Sequence, residues 1–483
     1  MRILAAILAT AAVFGVSSQS GAQTNNVPLL PQDVLKASFQ HFPAIIESLA
    51  VRRGVEAGVL EARGAFDVLI ESEGFDYTTG FYSGSALSAT ATQNLAPLGA
   101  TVFGGYRLSD GFLPVYEDEY FTNSAGEFKI GTVFSLLRDR SIDSRRFNIS
   151  DAQLAVEQAE MEVLLTQLGV QYRALTSYWR WVWAGRQLDV YEELLSIAES
   201  RQSGIEEEVR AGARAQIFLT ENLQNISRRQ RLATEARRNY LSAANALSLF
   251  YRDSNGDPVV PVSEQLPPAN AFAPDENGLA IENVAPEVPQ IIGRRPEVAI
   301  LRTEIERVRN KIELRENDMK PRLDLSAEIS RDIGAISEGG SSRDSTDTIV
   351  GFRFTVPFQR REAKGRLRRA EAELDAAVAR RRQLEDELEI QVRDILINLD
   401  VTAELVDIAG QEVEQSLAMQ TAEQQRFRSG ASDFFLVNVR EETAADARIR
   451  YFLSILERRL ARANYDAAIL NLERFGISPG SMD

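Results

Sequence analysis

The side chains with the most versatile chemistry are nearly missing from this chain. Its 483 residues include one histidine, His41, and no cysteine. Thiol chemistry, disulfides and the usual Cys/His metal clusters are therefore excluded, and no Gly-rich phosphate loop is present. Carboxylate pairs do occur, Glu206 beside Glu207 among them. A run of glutamates on a charged helix is ordinarily a solvated face. The formal net charge of −16 argues against nucleic acid as a partner, which needs clustered Lys and Arg. The expectation is no enzyme, no cofactor and no metal.

One polar pattern is more unusual, and it occurs twice. "EVRAGARAQIF" (208–218) and "RFRSGASDFF" (426–435) each set a glycine among small residues and arginines, inside sequence that otherwise reads as helix. A helix C-terminus favours a residue able to take positive φ, so Gly212 and Gly430 are expected to turn the chain. A turn needs only the glycine. Arg210, Arg214, Arg426 and Arg428 are left over, and they are the groups that could contact a partner.

The two turns belong to an internal duplication, the feature to look for before any other in a chain of this length. "HFPAII" (41–46) corresponds to "RRPEVAI" (294–300), each with a proline opening a helical pattern, where the missing N–H costs nothing. "GTVFSLLRDRSIDSRRFNISDAQL" (131–154) aligns without gaps on "GFRFTVPFQRREAKGRLRRAEAEL" (351–374), and "RAGARAQIFL" (210–219) on "RSGASDFFLV" (428–437). Eight of the 16 prolines fall between Pro258 and Pro296, the composition of a linker. The organisation expected is a first repeat over 23–250, a linker over 251–293, a second repeat over 294–476 and a tail over 477–483.

Each repeat reads helix, strands, very long helix, glycine break, long helix. Long helices are expected at about 141–208, 213–249, 361–427 and 431–475. Leu154, Met161, Leu164, Leu168, Tyr172, Leu175 and Trp179 are spaced by threes, fours and sevens, as are Leu374, Val378, Arg381, Leu384, Leu388, Val392, Ile395 and Leu399. Such seams with charge on the other faces mean coiled-coil packing. Trp179, Trp181 and Trp183 are expected in the core between helices. No proline interrupts 141–208, so the rod would reach roughly 100 Å at ~1.5 Å per residue.

The strands alternate. "RLDLSAEIS" (322–330) puts Leu323, Leu325, Ala327 and Ile329 on one side against Asp324, Ser326 and Glu328; "VGFRFTVPF" (350–358) and "EFKIGTVFSL" (127–136) do the same. "FDVLIESEGF" (66–75) is rougher. Barrel strands are thus expected within 66–137 and 322–358. "SATATQNLAPLGATVFGGYRLSDG" (88–111) is a further hairpin candidate in the first repeat only, and whether it adds strands or folds over the mouth is open at this level. Acidic "YEDEYF" (116–121) and "EGGSSRDSTD" (338–347) read as solvated loops. Half-buried soluble strands alternate too. The N-terminus, however, reads as a secretory signal peptide over 1–22: Arg2, an apolar run from Ile3 to Val16, then small residues ending at Ala22. Export combined with alternating strands of about ten residues fits a membrane barrel with an apolar outside and a polar lumen. Two strands per repeat cannot close a barrel, and open edges are not tolerated in lipid, so a cyclic oligomer is expected. Without Cys, lipid anchoring is not expected.

Duplication, export signal, alternating strands and rods broken at "RAGA" and "RSGA" together resemble the TolC family of outer-membrane efflux and secretion channels, over about 30–480. "PEVAILRTEIERVRNKIELRENDMKPRLDLSAE" (296–328), "VPFQRREAKGRLRRAEAEL" (356–374) and "FRSGASDFFLVNVRE" (427–441) are the most specific stretches. The resemblance implies an α+β membrane protein: a homotrimer in the Gram-negative outer membrane, four strands per subunit in one 12-stranded barrel, continued by a long periplasmic helical tube. It implies the exit channel of a tripartite efflux pump or a type I secretion system, working with a periplasmic adaptor (membrane fusion) protein and an inner-membrane transporter of RND or ABC type. The adaptor would meet the turns at Val209, Arg210, Ala211, Gly212 and Ala213 and at Phe427, Arg428, Ser429, Gly430 and Ala431. In such channels acidic residues after the second turn ring the closed entrance. Here "DFFLVNVREE" (433–442) has Leu436 and Val439 in those places, leaving Asp433, Arg440, Glu441 and Glu442 for a different constriction. The competing reading is a soluble periplasmic coiled-coil scaffold or adaptor, which explains the rods but not the strands.

Overall fold

A computed structural model describes residues 27–114, 121–273, 288–336 and 345–478. The signal-peptide expectation, the acidic stretch 116–120, most of the loop 338–347, residues 274–287 of the proline-rich linker and the last residues of the tail lie outside the described residues.

Two short helices, α1 (Pro31–His41) and α2 (Pro43–Arg63), lead into four strands: β1 (Leu69–Asp76), β2 (Ser83–Leu95), β3 (Ala100–Phe112) and β4 (Glu127–Ser135). Then come α3 (Ser144–Arg210) and α4 (Gln216–Ser248). The second repeat runs α5 (Val288–Arg294), α6 (Pro296–Asp318), β5 (Arg322–Asp332), β6 (Thr346–Thr355), α7 (Arg361–Arg428) and α8 (Phe434–Ala468). Pro43 and Pro296 stand in the first turn of α2 and α6, where their fixed φ is already helical. Among the described residues no helix is long and apolar enough to cross a membrane.

α3 has 67 residues and α7 has 68, each about 100 Å of rod at ~1.5 Å per residue. Shorter helices complete the bundle. α2 lies along the first part of α3, with Val51 and Arg52 beside Glu162 and Val163. α4 lies along the rest, where Arg237 reaches Glu192 at 2.7 Å and Tyr240 stacks on Trp181. α6 and α8 flank α7 in the same way, through Arg380–Glu304 at 2.7 Å and Arg450–Glu412 at 2.5 Å. Ion pairs also join the repeats: Arg307 with Asp151 at 2.8 Å, Arg448 with Glu193 at 2.7 Å.

A large buried apolar cluster lies midway along the rods. Tyr178, Trp181, Val182, Tyr240, Leu247 and Phe250 pack there with Val34, Leu35 and Ile45 of α1 and α2. Gln171, fully buried, donates to the carbonyls of Leu35 and Phe475 at 2.8 and 3.0 Å. This ties α1 and the C-terminal segment to α3 without leaving the amide unpaired, which burial would make costly.

All six strands form one antiparallel sheet in sequence order. β4 pairs with β5, Ile130 opposite Ile329, so the repeats join within it. Four strands per chain is therefore corrected to six: the segment left open, 88–111, pairs with β1 on one side and β4 on the other. The last strand also stops earlier than its alternation implies. β6 ends at Thr355, because Pro357 has no N–H for a ladder and Arg360 takes a left-handed φ of 51° ahead of α7.

Candidate functional site: a two-faced sheet and a distal tip

Cross-strand register sorts the sheet into two faces. One carries Ile70, Leu87, Ala89, Val102, Tyr106, Leu108, Phe128, Ile130, Leu325, Ile329, Val350 and Phe352; the pairs Leu87↔Leu108, Tyr106↔Phe128, Ile130↔Ile329 and Leu325↔Phe352 lie directly opposite each other. The other carries Glu71, Glu73, Ser88, Thr90, Thr92, Arg107, Glu127, Lys129, Asp324, Glu328 and Arg353.

Exposure is inverted relative to a soluble sheet. Along β5, Leu325 and Ile329 are 37% and 49% exposed, whereas Asp324 and Ser330 are 6% and 8%. Phe352 is 78% exposed. The polar face pairs with itself: Arg107 meets Glu127 at 2.8 Å, and Ser135 Oγ donates to Asp324 at 3.1 Å. An apolar face of this extent belongs against something other than water. The sheet edges are the outer sides of β1 and β6, each paired on one side only. Both run from helical rods at one end to loops at the other, in opposite directions, so β1 of one copy can pair antiparallel with β6 of another.

At the far end of the rods both repeats turn in the same way. After α3, Ala213 N–H donates to Glu208 O at 2.9 Å and Gly212 N–H to Val209 O at 3.0 Å, with Gly212 at φ +72°. After α7, Ala431 N–H donates to Arg426 O at 2.8 Å and Gly430 N–H to Phe427 O at 3.0 Å, with Gly430 at φ +78°. These are two Schellman caps. Asp433 then caps α8, accepting from Leu436 N–H at 2.7 Å.

The tips sit side by side. Arg214 of the first repeat lies over Phe427 of the second at 5.2 Å and over Phe218 at 5.3 Å, while Phe434 contacts both Phe218 and Phe427. The four arginines therefore divide into two pairs. Arg214 is held by Glu208 at 2.5 Å, and Arg426 by Glu423 at 3.3 Å. Arg210 and Arg428 are exposed and have no hydrogen-bonding or ionic partner among the described residues. The neighbouring Ala211, Gly212, Ala213, Ser429, Gly430 and Ala431 are exposed, with Val209 and Phe427 half-buried. The aromatic layer under the tips is missing from the sequence reading, although "QIF" and "DFF" after each glycine were its signal.

The four residues expected at a constriction part company. Glu441 is fully buried, gripped by Arg201 and, at 3.0 Å, by Arg229, itself fully buried. It presents no free carboxylate to a pore. Asp433 is the helix cap just described. Glu442 pairs with Arg228 at 2.9 Å, and Arg440 is half-buried with Nε unpartnered. His41 ends α1 and belongs to no metal-binding cluster among the described residues.

Residues 288–473 match the model of the outer membrane efflux protein family. No curated protein sequence matches the chain. Among solved structures, the Campylobacter jejuni CmeC outer membrane channel is similar at TM-score 0.62 and 14% identity, covering 92% of this chain and 89% of that one. The outer membrane protein VceC from Vibrio cholerae is similar at TM-score 0.61 and 13% identity, over 91% and 95%. A membrane protein from Pseudomonas aeruginosa is similar at TM-score 0.61 and 15% identity, over 91% and 93%.

Proposed function

We propose that this chain, with an outer membrane efflux protein pattern in its second repeat and the fold of TolC-like channels over most of its length, is one subunit of an outer-membrane exit channel. Substrates would pass through it from an inner-membrane transporter and its periplasmic adaptor, in an efflux pump or a type I secretion system. The observation that carries this reading is the sheet, apolar and exposed on one face, polar and self-paired on the other, with rods of about 100 Å leading away from it. A sheet with that polarity satisfies its backbone inside lipid only if its edges close. Three copies in a ring, β1 of each paired with β6 of the next, would close it.

The polar face then lines a water-filled lumen and the apolar face meets acyl chains. No catalytic step is needed. The rods conduct by enclosing a tube, and the tips at Gly212 and Gly430 form its periplasmic end. There, Arg210 and Arg428 would meet the adaptor: their guanidinium groups, exposed and without partners among the described residues, suit carboxylates and exposed carbonyls of a helical hairpin.

Purification in mild detergent tests the reading. A homotrimer by mass is expected. A monomer of native helicity, or release by osmotic shock without detergent, would instead identify a soluble periplasmic scaffold.

A further inference from the structure

We infer that the β2–β3 hairpin is part of the barrel wall, so that each subunit contributes six strands rather than four and a trimer closes an 18-stranded barrel. The number 18 rests on the three-copy reading above; the place of the hairpin in the wall does not.

Three observations carry it. The hairpin is paired on both flanks, through Leu69↔Thr92 to Asp76↔Ser85 with β1 and Thr101↔Val133 to Arg107↔Glu127 with β4. A flap over the mouth would leave β1 and β4 paired with each other. The hairpin also keeps the wall's polarity: Leu87, Ala89, Val102 and Leu108 continue the apolar face, while Ser88, Thr90, Thr92 and Arg107 continue the polar one. Both strands have 13 residues, enough to span a bilayer at the tilt of barrel strands, which needs about 9–11.

The third observation is the turn. It lies at the end of the sheet nearest the rods, and it is bound both to the segment between α2 and β1 and to the passage into α3. Asn94 donates to Ala65 O at 3.1 Å, and Arg146 donates to Ala96 O at 3.3 Å. Gly99 has φ +58°, and a Cβ there would come within 2.1 Å of Asp139 O. The turn is short, and longer connections lie at the opposite end, the asymmetry of outer-membrane barrels.

The consequence is size. At ~4.8 Å between strands and ~40° of tilt, 12 strands enclose a backbone diameter of about 24 Å and 18 strands about 36 Å. Twelve rods, four from each of three chains, spaced ~10 Å apart form a ring of about 38 Å. The six-strand sheet lets the outlet continue the tube at nearly its own width, so larger cargo that clears the tube also clears the membrane.

The chain has no cysteine, so each introduced thiol is the only one. Leu87→Cys, Ala89→Cys, Leu108→Cys, Ser88→Cys and Thr90→Cys would be made in the full chain, with Phe352→Cys and Lys129→Cys as references for the two faces. In outer membranes, a small membrane-impermeant thiol reagent should label positions 88, 90 and 129 and spare 87, 89, 108 and 352. Equal labelling at 87 to 90 overturns the inference, since a solvated flap has no lipid face. Electron cryomicroscopy of the detergent-purified channel should count 18 strands. Three copies with 12 strands would refute the hairpin's place while sparing the channel reading. Another copy number would refute the trimer, and the labelling pattern would still decide the hairpin.

Discussion

Glu441 shows how one residue's role depends on which side of a helix it occupies. It lies between Arg201 and Arg229, with both its side chain and that of Arg229 fully buried. Breaking a buried pair by removing one partner costs about 3–5 kcal/mol, because an uncompensated charge remains. Glu441→Ala should therefore loosen the lower bundle, seen as faster amide exchange near 194–229. Glu441→Gln should do less damage, because it keeps the shape and part of the hydrogen bonding. The tip arginines behave in the opposite way. Arg210 and Arg428 are exposed and have no ionic or hydrogen-bonding partner among the described residues, so Arg210→Glu with Arg428→Glu should change stability by no more than about 0.5 kcal/mol each. Transport in cells, and crosslinking from the tips to the adaptor, should nevertheless be lost. Export at the wild-type level would show that the tips are turns and nothing more.

Among the elements, the strands carry the sharper contrast. Phe352 and Phe354 are exposed on the apolar face, and Arg353 lies between them on the polar one. Phe352→Asp or Phe354→Asp puts a carboxylate among acyl chains, where a charge costs up to a few kcal/mol near the midplane; assembled channel in the outer membrane should fall sharply. Arg353→Ala faces water and should assemble as wild type does. Equal assembly of all three would mean that β6 does not span a bilayer. The helices are stabilised differently, by buried seams such as Leu388, Val392 and Leu399, with ion pairs on the outer faces contributing little each.

Across the whole molecule, α7 keeps a second apolar line uncovered. Ile390, Ile397, Val401, Leu405 and Ile408 are all exposed, at spacings of three, four and seven that make a coiled-coil seam. Among the described residues of one chain nothing covers this seam. In a ring it is the natural contact with the neighbouring copy, as the edges of β1 and β6 are in the sheet. Ile397→Lys with Val401→Lys should shift trimer to monomer in mild detergent, since burial of each such side chain contributes about 1.5–3 kcal/mol. Helicity per chain should be nearly unchanged. A trimer of wild-type stability would place the subunit contact elsewhere.

The sequence by itself determined whatever depends on local period. Alternation along 322–330 showed which side of that strand is apolar, threes and fours along 154–179 showed helix, and a glycine beside small residues showed each turn, because periods of two and 3.6 and the freedom of glycine are properties of short stretches. It could not place 88–111, because pairing is a choice between distant partners, and β1 can close on β4 or admit a hairpin with no change in its own residues. Nor could it separate Arg210 from Arg214 or Glu441 from Glu442. Each pair reads alike in one dimension, and only the packing of α3, α4 and α8 decides that Arg214 is clasped and Arg210 exposed, and that Glu441 is buried between two arginines while Glu442 meets one at the surface.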